Sequence, residues 1–337
     1  MKSFCFTAFL LLLSIASVSQ NKKIANFDSR IDQVLTRVWE ESKAYIPNGR
    51  VADYIPELGK ADANQIGLAV MDSSGKLYAK GDTKTKFTMQ SISKVIALMV
   101  AVNERGEEYI FERVNSYGTD TPFNSFARLE LDNKPLNPMM NAGAILTTTM
   151  IEGEGDIPYQ KIVAMIRYIT KNDSIDYSHS VFLSEKETGH RNRGMFYILK
   201  NSGLIHADDE SGLDNYFRQC SIEVDAEDLA KIAYFFAHGC MRFDGDKTYF
   251  NPKMSKLINS IILTAGMYDY SGEYSRKVGM PSKSGVGGGI MAVSPGKLGI
   301  GTFNPSLDNH GNSAPGVFML EELNKEFDLR ACLNFVE

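Results

Sequence analysis

Clustered basic residues are absent from this sequence. The chain carries 36 basic against 41 acidic residues, a formal charge of -5, with a pI near 5.7. Phosphate backbones are bound by grouped cations, so nucleic acid is excluded as the main partner. Cysteine is scarce as well. There are four: Cys5 in the N-terminal apolar stretch, then Cys220, Cys240 and Cys332, an odd and widely spaced remainder that makes no disulfide framework. These three read as buried core thiols, because no neighbouring base marks any of them as a nucleophile. The five histidines, at 179, 190, 206, 238 and 310, never fall at H-x-x-x-H spacing, and GVGGG lacks the Gly-x-Gly-x-x-Gly form. Neither a metal centre nor a cofactor is therefore expected. Repeats, low-complexity tracts and Pro/Gly/Ser linkers are missing too, which leaves residues 20–337 as one domain.

Long apolar runs are limited to the start. MKSFCFTAFLLLLSIASVSQ joins one lysine, an apolar stretch and then small residues at Ala16, Ser17 and Ser19, the pattern of a secretory signal peptide, here residues 1–19. The stretch is shorter than the roughly 20 residues of a spanning helix, so cleavage and export into the periplasm or medium are expected, with no membrane attachment afterwards. Beyond it, QIGLAVMDSSGKLYAKGD (65–82) alternates around Ser-Ser-Gly as a β-hairpin, and GGGIMAVSPGKLGIGTF (287–303) gives a second strand pair broken at Ser-Pro-Gly. Between them, 94–105, 141–151, 159–170, 193–203 and 226–239 carry apolar residues at helical spacing. A last helix is expected over 313–329, with Pro315 in its first turn. Strands from both ends and helices between predict an α+β fold: an antiparallel sheet formed by N- and C-terminal strands, flanking helices and a mostly helical lobe. The cleft between sheet and lobe is the place to look for chemistry.

One spacing raises the question of catalysis. In QSISKV (90–95) Ser91 and Lys94 stand three residues apart at a helix start, on one helical face. A serine and its base use this arrangement, and so does a capping serine followed by a solvated lysine. Ser-x-x-Lys also occurs at Ser19/Lys22, Ser73/Lys76 and Ser294/Lys297, so the spacing alone decides nothing. A second signal is PSKSGVGGGI (281–290), where glycines enter an apolar strand, as they do where a ligand or another backbone approaches closely. Ser-x-x-Lys paired with a late Lys-Ser-Gly strand is the combination found in penicillin-recognising serine enzymes.

The blocks QSISK (90–94), FNSFARLE (123–130), NPMMNAGAI (137–145), SEKETGHRN (184–192), YFRQCSIEV (216–224), GMYDYSGEY (266–274), PSKSGVGGGI (281–290) and LDNHGNSAPG (307–316) resemble, in order and spacing, those of the serine-dependent glutaminase family. The resemblance covers nearly all of the chain after the leader and implies a fold similar to that of serine β-lactamases and penicillin-binding proteins. It implies Ser91 as nucleophile, Lys94 as its proton acceptor and Tyr268 as a second proton-handling group. The N–H groups of Ser91 and Val286 would form an oxyanion hole. Substrate contacts would fall on Tyr54, Gln90, Asn141, Glu185, Asn192 and Tyr216 as well. It also implies self-association, as a dimer or tetramer. One stretch departs from the pattern: GTDTPFNS stands where the family often has Glu-Pro-Ser-Gly before FNS.

These residue types suit L-glutamine. A carboxylate such as Glu185 pairs with the α-ammonium, while Asn and Tyr donors hold the α-carboxylate. The expected reaction is acyl transfer through Ser91 to water, releasing ammonia and then L-glutamate. Lys94 must be neutral to act as base, which calls for burial or a neighbouring cation, Lys283 being the candidate. Two alternatives remain at this level: an exported β-lactam- or peptide-hydrolysing enzyme of the same architecture, and a non-catalytic glutamine-binding protein.

Overall fold

Alternation in the hairpin becomes two faces of a covered sheet. The computed structural model describes residues 30–119, 122, 124, 125, 129, 133–206 and 210–331. The 1–19 leader, Cys5, Cys332 and most of the FNSFARLE block lie outside them. β1 (Gly67–Met71) and β2 (Leu77–Gly81) pair antiparallel, Gly67 opposite Gly81, and Asp72 holds the turn by accepting from Ser74 N at 2.8 Å and Lys76 N at 3.1 Å. β6 (Gly289–Ser294) and β7 (Leu298–Phe303) form the second hairpin. β7 pairs with β1 and β6 with β5 (Ser282–Ser284), so one antiparallel sheet runs β2-β1-β7-β6-β5. The strands of both chain ends thus close on each other, as the pattern predicts.

On one face, Leu68, Val70, Ile290, Ala292 and Ile300 pack with Ile31, Val34, Leu35 and Val38 of α1 (residues 30–42). Val317, Leu320 and Leu323 of the last helix, Ala314–Phe327, complete that layer. On the other, Ala69, Met71, Met291, Val293 and Phe303 meet the core of the helical lobe. Its central helix, α2 (Ser93–Arg105), is buried at every position from Ser93 to Val102, which explains a run of apolar residues with little amphipathic contrast. Around it lie α3 (Glu107–Arg113), α4 (Asn141–Thr149), α5 (Ile157–Thr170), α6 (His179–Thr188), α7 (His190–Asn201), α8 (Ser211–Cys220), α9 (Ala226–Ala237), α10 (Pro252–Ala265) and α11 (Ser271–Lys277); Ala314–Phe327 is then α12. Among the described residues no helix is long and apolar enough to cross a membrane.

Two expectations shift in detail. The strand expected from residue 287 begins at Gly289, because Gly285–Gly288 close a turn, Gly288 N donating to Gly285 O at 2.9 Å. A short second sheet, β3 (Phe87–Thr88) with β4 (Glu223–Val224), escaped the pattern because two residues show no period. It ties the segment before Gln90 to the end of α8.

α9 crosses the sheet at very short range. It begins in a capping box, Asp225 accepting from Asp228 N at 2.8 Å, and a Cβ placed on Gly301 would lie 2.1 Å from Ala226 O. That neighbour is backbone and cannot swing aside. Gly301→Val is predicted to lower unfolding free energy by at least about 2 kcal/mol through overpacking. A urea midpoint equal to wild type would show that the helix and sheet are not packed this closely.

Candidate active site

Ser91 enters the site on a strained turn. Gln90–Ile92 make one 3-10 turn before α2, and Gln90 has φ +48°, a conformation that costs a non-glycine residue energy and gathers at functional sites. Ser91 is buried, 8% exposed, and its side chain caps no helix. It is hydrogen-bonded to the Tyr268 hydroxyl. Of the other Ser-x-x-Lys pairs, Ser73/Lys76 lies at the β1–β2 turn, Ser294/Lys297 at the β6–β7 turn, and Ser19 lies outside the described residues.

Lys94, in the first turn of α2, is 1% exposed. It donates to Met139 O at 3.0 Å and Asn141 Oδ1 at 2.7 Å. Burial lowers its pKa to about 8, against the pull of Cys220 and Glu185 in the other direction. A neutral amine has two N–H bonds, and both have acceptors here, which leaves the lone pair for an incoming proton. Asn141 in turn donates to Asn192 Oδ1 at 3.0 Å, so Lys94, Asn141 and Asn192 form one chain.

The far end of the polypeptide supplies the opposite wall. A Cβ on Gly285 would lie 2.3 Å from Met89 O, and one on Gly287 2.2 Å from Thr88 O. The glycine run is there for a close approach of backbone to backbone, and it lays the Val286 peptide along the Thr88–Met89 main chain. Lys283 and Tyr268 anchor this wall. Lys283 Nζ donates to Gly266 O at 2.9 Å and Ser284 O at 2.6 Å, and Tyr268 donates to the same Ser284 oxygen at 3.1 Å. Lys283 Nζ lies 4.3 Å from the Tyr268 ring centre. Tyr268 is the second strained residue of the site, φ +56°, and burial pushes its hydroxyl pKa up, so it stays protonated. Burial pulls Lys283 well down, and the charge on Lys94 adds to the drop. The expected influence of Lys283 on Lys94 therefore gives way to burial as the cause, since Lys94 is enclosed by the apolar lobe.

One cavity brings together Tyr54, Gln90, Ser91, Asn141, Glu185, Asn192, Tyr216 and Val286. Tyr268 reaches this group through its bond to Ser91. Tyr54 exposes 53% of its surface, yet its hydroxyl end is enclosed, and burial, Tyr268 and Glu185 raise its pKa. Glu185 is the acidic residue of the wall. It bonds to Gln90, burial raises its pKa to about 8, and its Oε2 has no hydrogen-bond partner. A buried carboxylate oxygen left unpaired is costly, so the arrangement suits a cationic ligand group.

The sequence reading missed six cavity residues, Ile55, Asn124, Thr188, Gly189, Arg191 and Cys220. Cys220 is buried and free, as a core thiol should be, yet it also faces the cavity. It stands four residues after Tyr216 on α8, one face of the helix, and bonds to Tyr216 and Ser93 while burial raises its pKa. That spacing was legible; the assignment as core hid it. Among the described residues no group of three or more His, Cys, Asp or Glu side chains is placed to hold a metal ion.

Residues 49–331 match the family model described as Glutaminase. A glutaminase of Clostridium botulinum (strain Loch Maree / Type A3) is 44% identical over 304 residues, 89% of this chain and 99% of that protein. The crystal structure of a probable glutaminase of Bacillus subtilis superposes with a TM-score of 0.84 at 34% identity, covering 90% of this chain and 98% of that one. A second structure from the same species, glutaminase YbgJ in covalent complex with 5-oxo-L-norleucine after reaction with 6-diazo-5-oxo-L-norleucine, has a TM-score of 0.81 at 34% identity and covers 89% and 99%. With its cavity, its antiparallel sheet and a family match over most of its length, this chain belongs to the glutaminase family.

Proposed function

We propose that this protein hydrolyses L-glutamine to L-glutamate and ammonia through an acyl-enzyme on Ser91. The observation that carries the reading is a buried serine hydroxyl bonded to Tyr268, three residues before a buried lysine whose burial favours the neutral amine. Glu185, with its unpartnered oxygen, takes the α-ammonium. Ser91 Oγ attacks the side-chain carboxamide carbon while its proton passes to Lys94, directly or through Tyr268. The N–H groups of Ser91 and Val286 receive the oxyanion. Tyr268, held protonated, gives a proton to the leaving nitrogen and is recharged from Lys94; ammonia departs. Water then attacks the ester, the same groups run the proton in reverse, and glutamate is released. That a Bacillus subtilis relative forms a covalent complex from 6-diazo-5-oxo-L-norleucine agrees with a nucleophile acting on a glutamine-shaped ligand.

The N-terminal pattern supports export, and the family resemblance supports self-association. Expected from the native host is a dimer or tetramer in the periplasm or medium whose chain starts near residue 20; monomers of full length in the cytosol would contradict both parts.

Ser91→Ala should lower ammonia release at least about 1,000-fold with glutamine binding largely kept. Turnover near wild type would remove Ser91 from the mechanism. The pH dependence has a fixed sign. Lys94 works in its deprotonated form, and Glu185 binds the ammonium in its ionised form, so both must lose a proton. With each pKa at about 8, kcat/KM should rise with pH at least about tenfold per unit between pH 6 and 7.5, then flatten above 8. A flat profile from pH 6 to 8 would rule out Lys94 as the base.

A further inference from the structure

Both acceptors of the Lys94 amine come from one short turn. Lys94 Nζ donates to Met139 O at 3.0 Å and to Asn141 Oδ1 at 2.7 Å, and Asn141 is the first residue of α4. A main-chain carbonyl is aimed only as well as the turn that carries it. Here the turn, NPMMN at 137–141, is governed by the carboxamide of Asn137, a residue of the NPMMNAGAI block to which the sequence reading gave no role. Its Oδ1 accepts from Met139 N at 2.9 Å and Met140 N at 3.0 Å, an Asx-turn leading into α4, which no side chain caps. Its Nδ2 donates the other way, to Tyr117 O at 2.7 Å and Thr119 Oγ1 at 2.9 Å. The amide therefore uses both donors and both acceptor positions. The partners on that side are themselves fixed, Tyr117 N donating to Leu136 O at 3.1 Å and Thr119 N to Thr264 O of α10 at 3.1 Å. Asn137 is fully buried, and a Cβ on Gly143 would lie 2.0 Å from Asn137 O, so its main chain is pressed against the first turn of α4.

Resting on the reading of Lys94 as the base, we infer that Asn137 is a positioning residue for that base, holding the Met139 carbonyl where it takes up one N–H of the amine and leaves the lone pair for the incoming proton. Asn137 is not a wall residue of the cavity and bonds to neither Lys94 nor Ser91; it acts through the turn. Asn141 has a second hold, donating to Asn192 Oδ1 at 3.0 Å, so Met139 O is the acceptor that depends most on Asn137. A carbonyl binds an ammonium more strongly than an amine, because charge-assisted bonds are about twice as strong as neutral ones. Freeing Met139 O therefore weakens Lys94 as a base as well as misaiming it. The titratable groups that face Lys94 are Glu185 of α6, Cys220 of α8 and Lys283 of β5. None of them bonds to Asn137, so a change at 137 reaches Lys94 by way of the turn.

The test follows kcat for L-glutamine against pH. In the bound state Glu185 is paired with the α-ammonium, so the acidic limb of kcat reports Lys94. Asn137→Ala should lower kcat about 10- to 100-fold, keep KM within about threefold, and move that limb to lower pH by at least about half a unit. Asn137→Ser, whose hydroxyl still accepts from Met139 N, should recover part of both. A loss of kcat with the limb unmoved would make Asn137 a structural residue only. A loss carried mainly by KM would place its effect on the substrate through Asn141, and wild-type values in both variants would make it a bystander; each of these overturns the inference. Folding is monitored by the thermal midpoint. If Asn137→Ala does not fold, Asn137→Ser is set against wild type, with an expected loss in kcat of about 3- to 10-fold and the limb moved the same way; an unmoved limb there overturns the inference equally. A wild-type enzyme that makes no glutamate, or whose kcat is flat with pH, would instead overturn the functional reading or the role of Lys94, and neither result depends on a variant at 137.

Discussion

Two stretches of main chain must touch for this site to exist. Gly285 and Gly287 bring the turn between β5 and β6 against Thr88 and Met89, closer than any side chain at either glycine allows. Everything around the contact serves to hold it. Met89 N bonds to Ile222 O at 2.8 Å on one side, and Lys283 and Tyr268 share the Ser284 carbonyl on the other. The two strained residues, Gln90 and Tyr268, flank it. Strain of this kind, of order 1–3 kcal/mol per residue, survives only where surrounding structure over-determines the backbone.

The second determinant is a low-dielectric setting for charge. α2 is buried through most of its length, so the lysine in its first turn enters an apolar lobe and its ammonium form loses favour. The same burial raises Glu185. These groups respond to one cause: Lys94 gives up its charge more readily, and Glu185 gains its charge less readily. In the proposed mechanism this links ligand binding to proton transfer.

Much of this was legible in the residues. The alternation at 65–82 and 287–303 gave the antiparallel sheet closed by both chain ends, and helical spacing gave the lobe. Not everything showed. β3 and β4 are too brief to display a period, α6, with its mix of apolar and polar residues, carries no clear stripe, and α1, α3, α8, α10 and α11 were not among the helices read from the spacing. At the site, Ser91 and Lys94 shared their spacing with three other pairs. Only tertiary placement separates them, since two of the others lie at hairpin turns. The glycine run announced a close approach, though not what approached. Cys220 was read as core because buried thiols are common, and Arg191 passed unremarked beside Asn192 because an isolated arginine at a helix start is ordinary.

The pairing of β1 with β7 joins segments from near the two ends of the polypeptide, and the wall opposite Ser91 also comes from the late segment. Ring closure over so long an interval is entropically expensive and slow. During synthesis Ser91 and Lys94 leave the ribosome well before the segment at 285–287 that forms the opposite wall. The cavity is therefore complete only once the C-terminal hairpin has paired with β1.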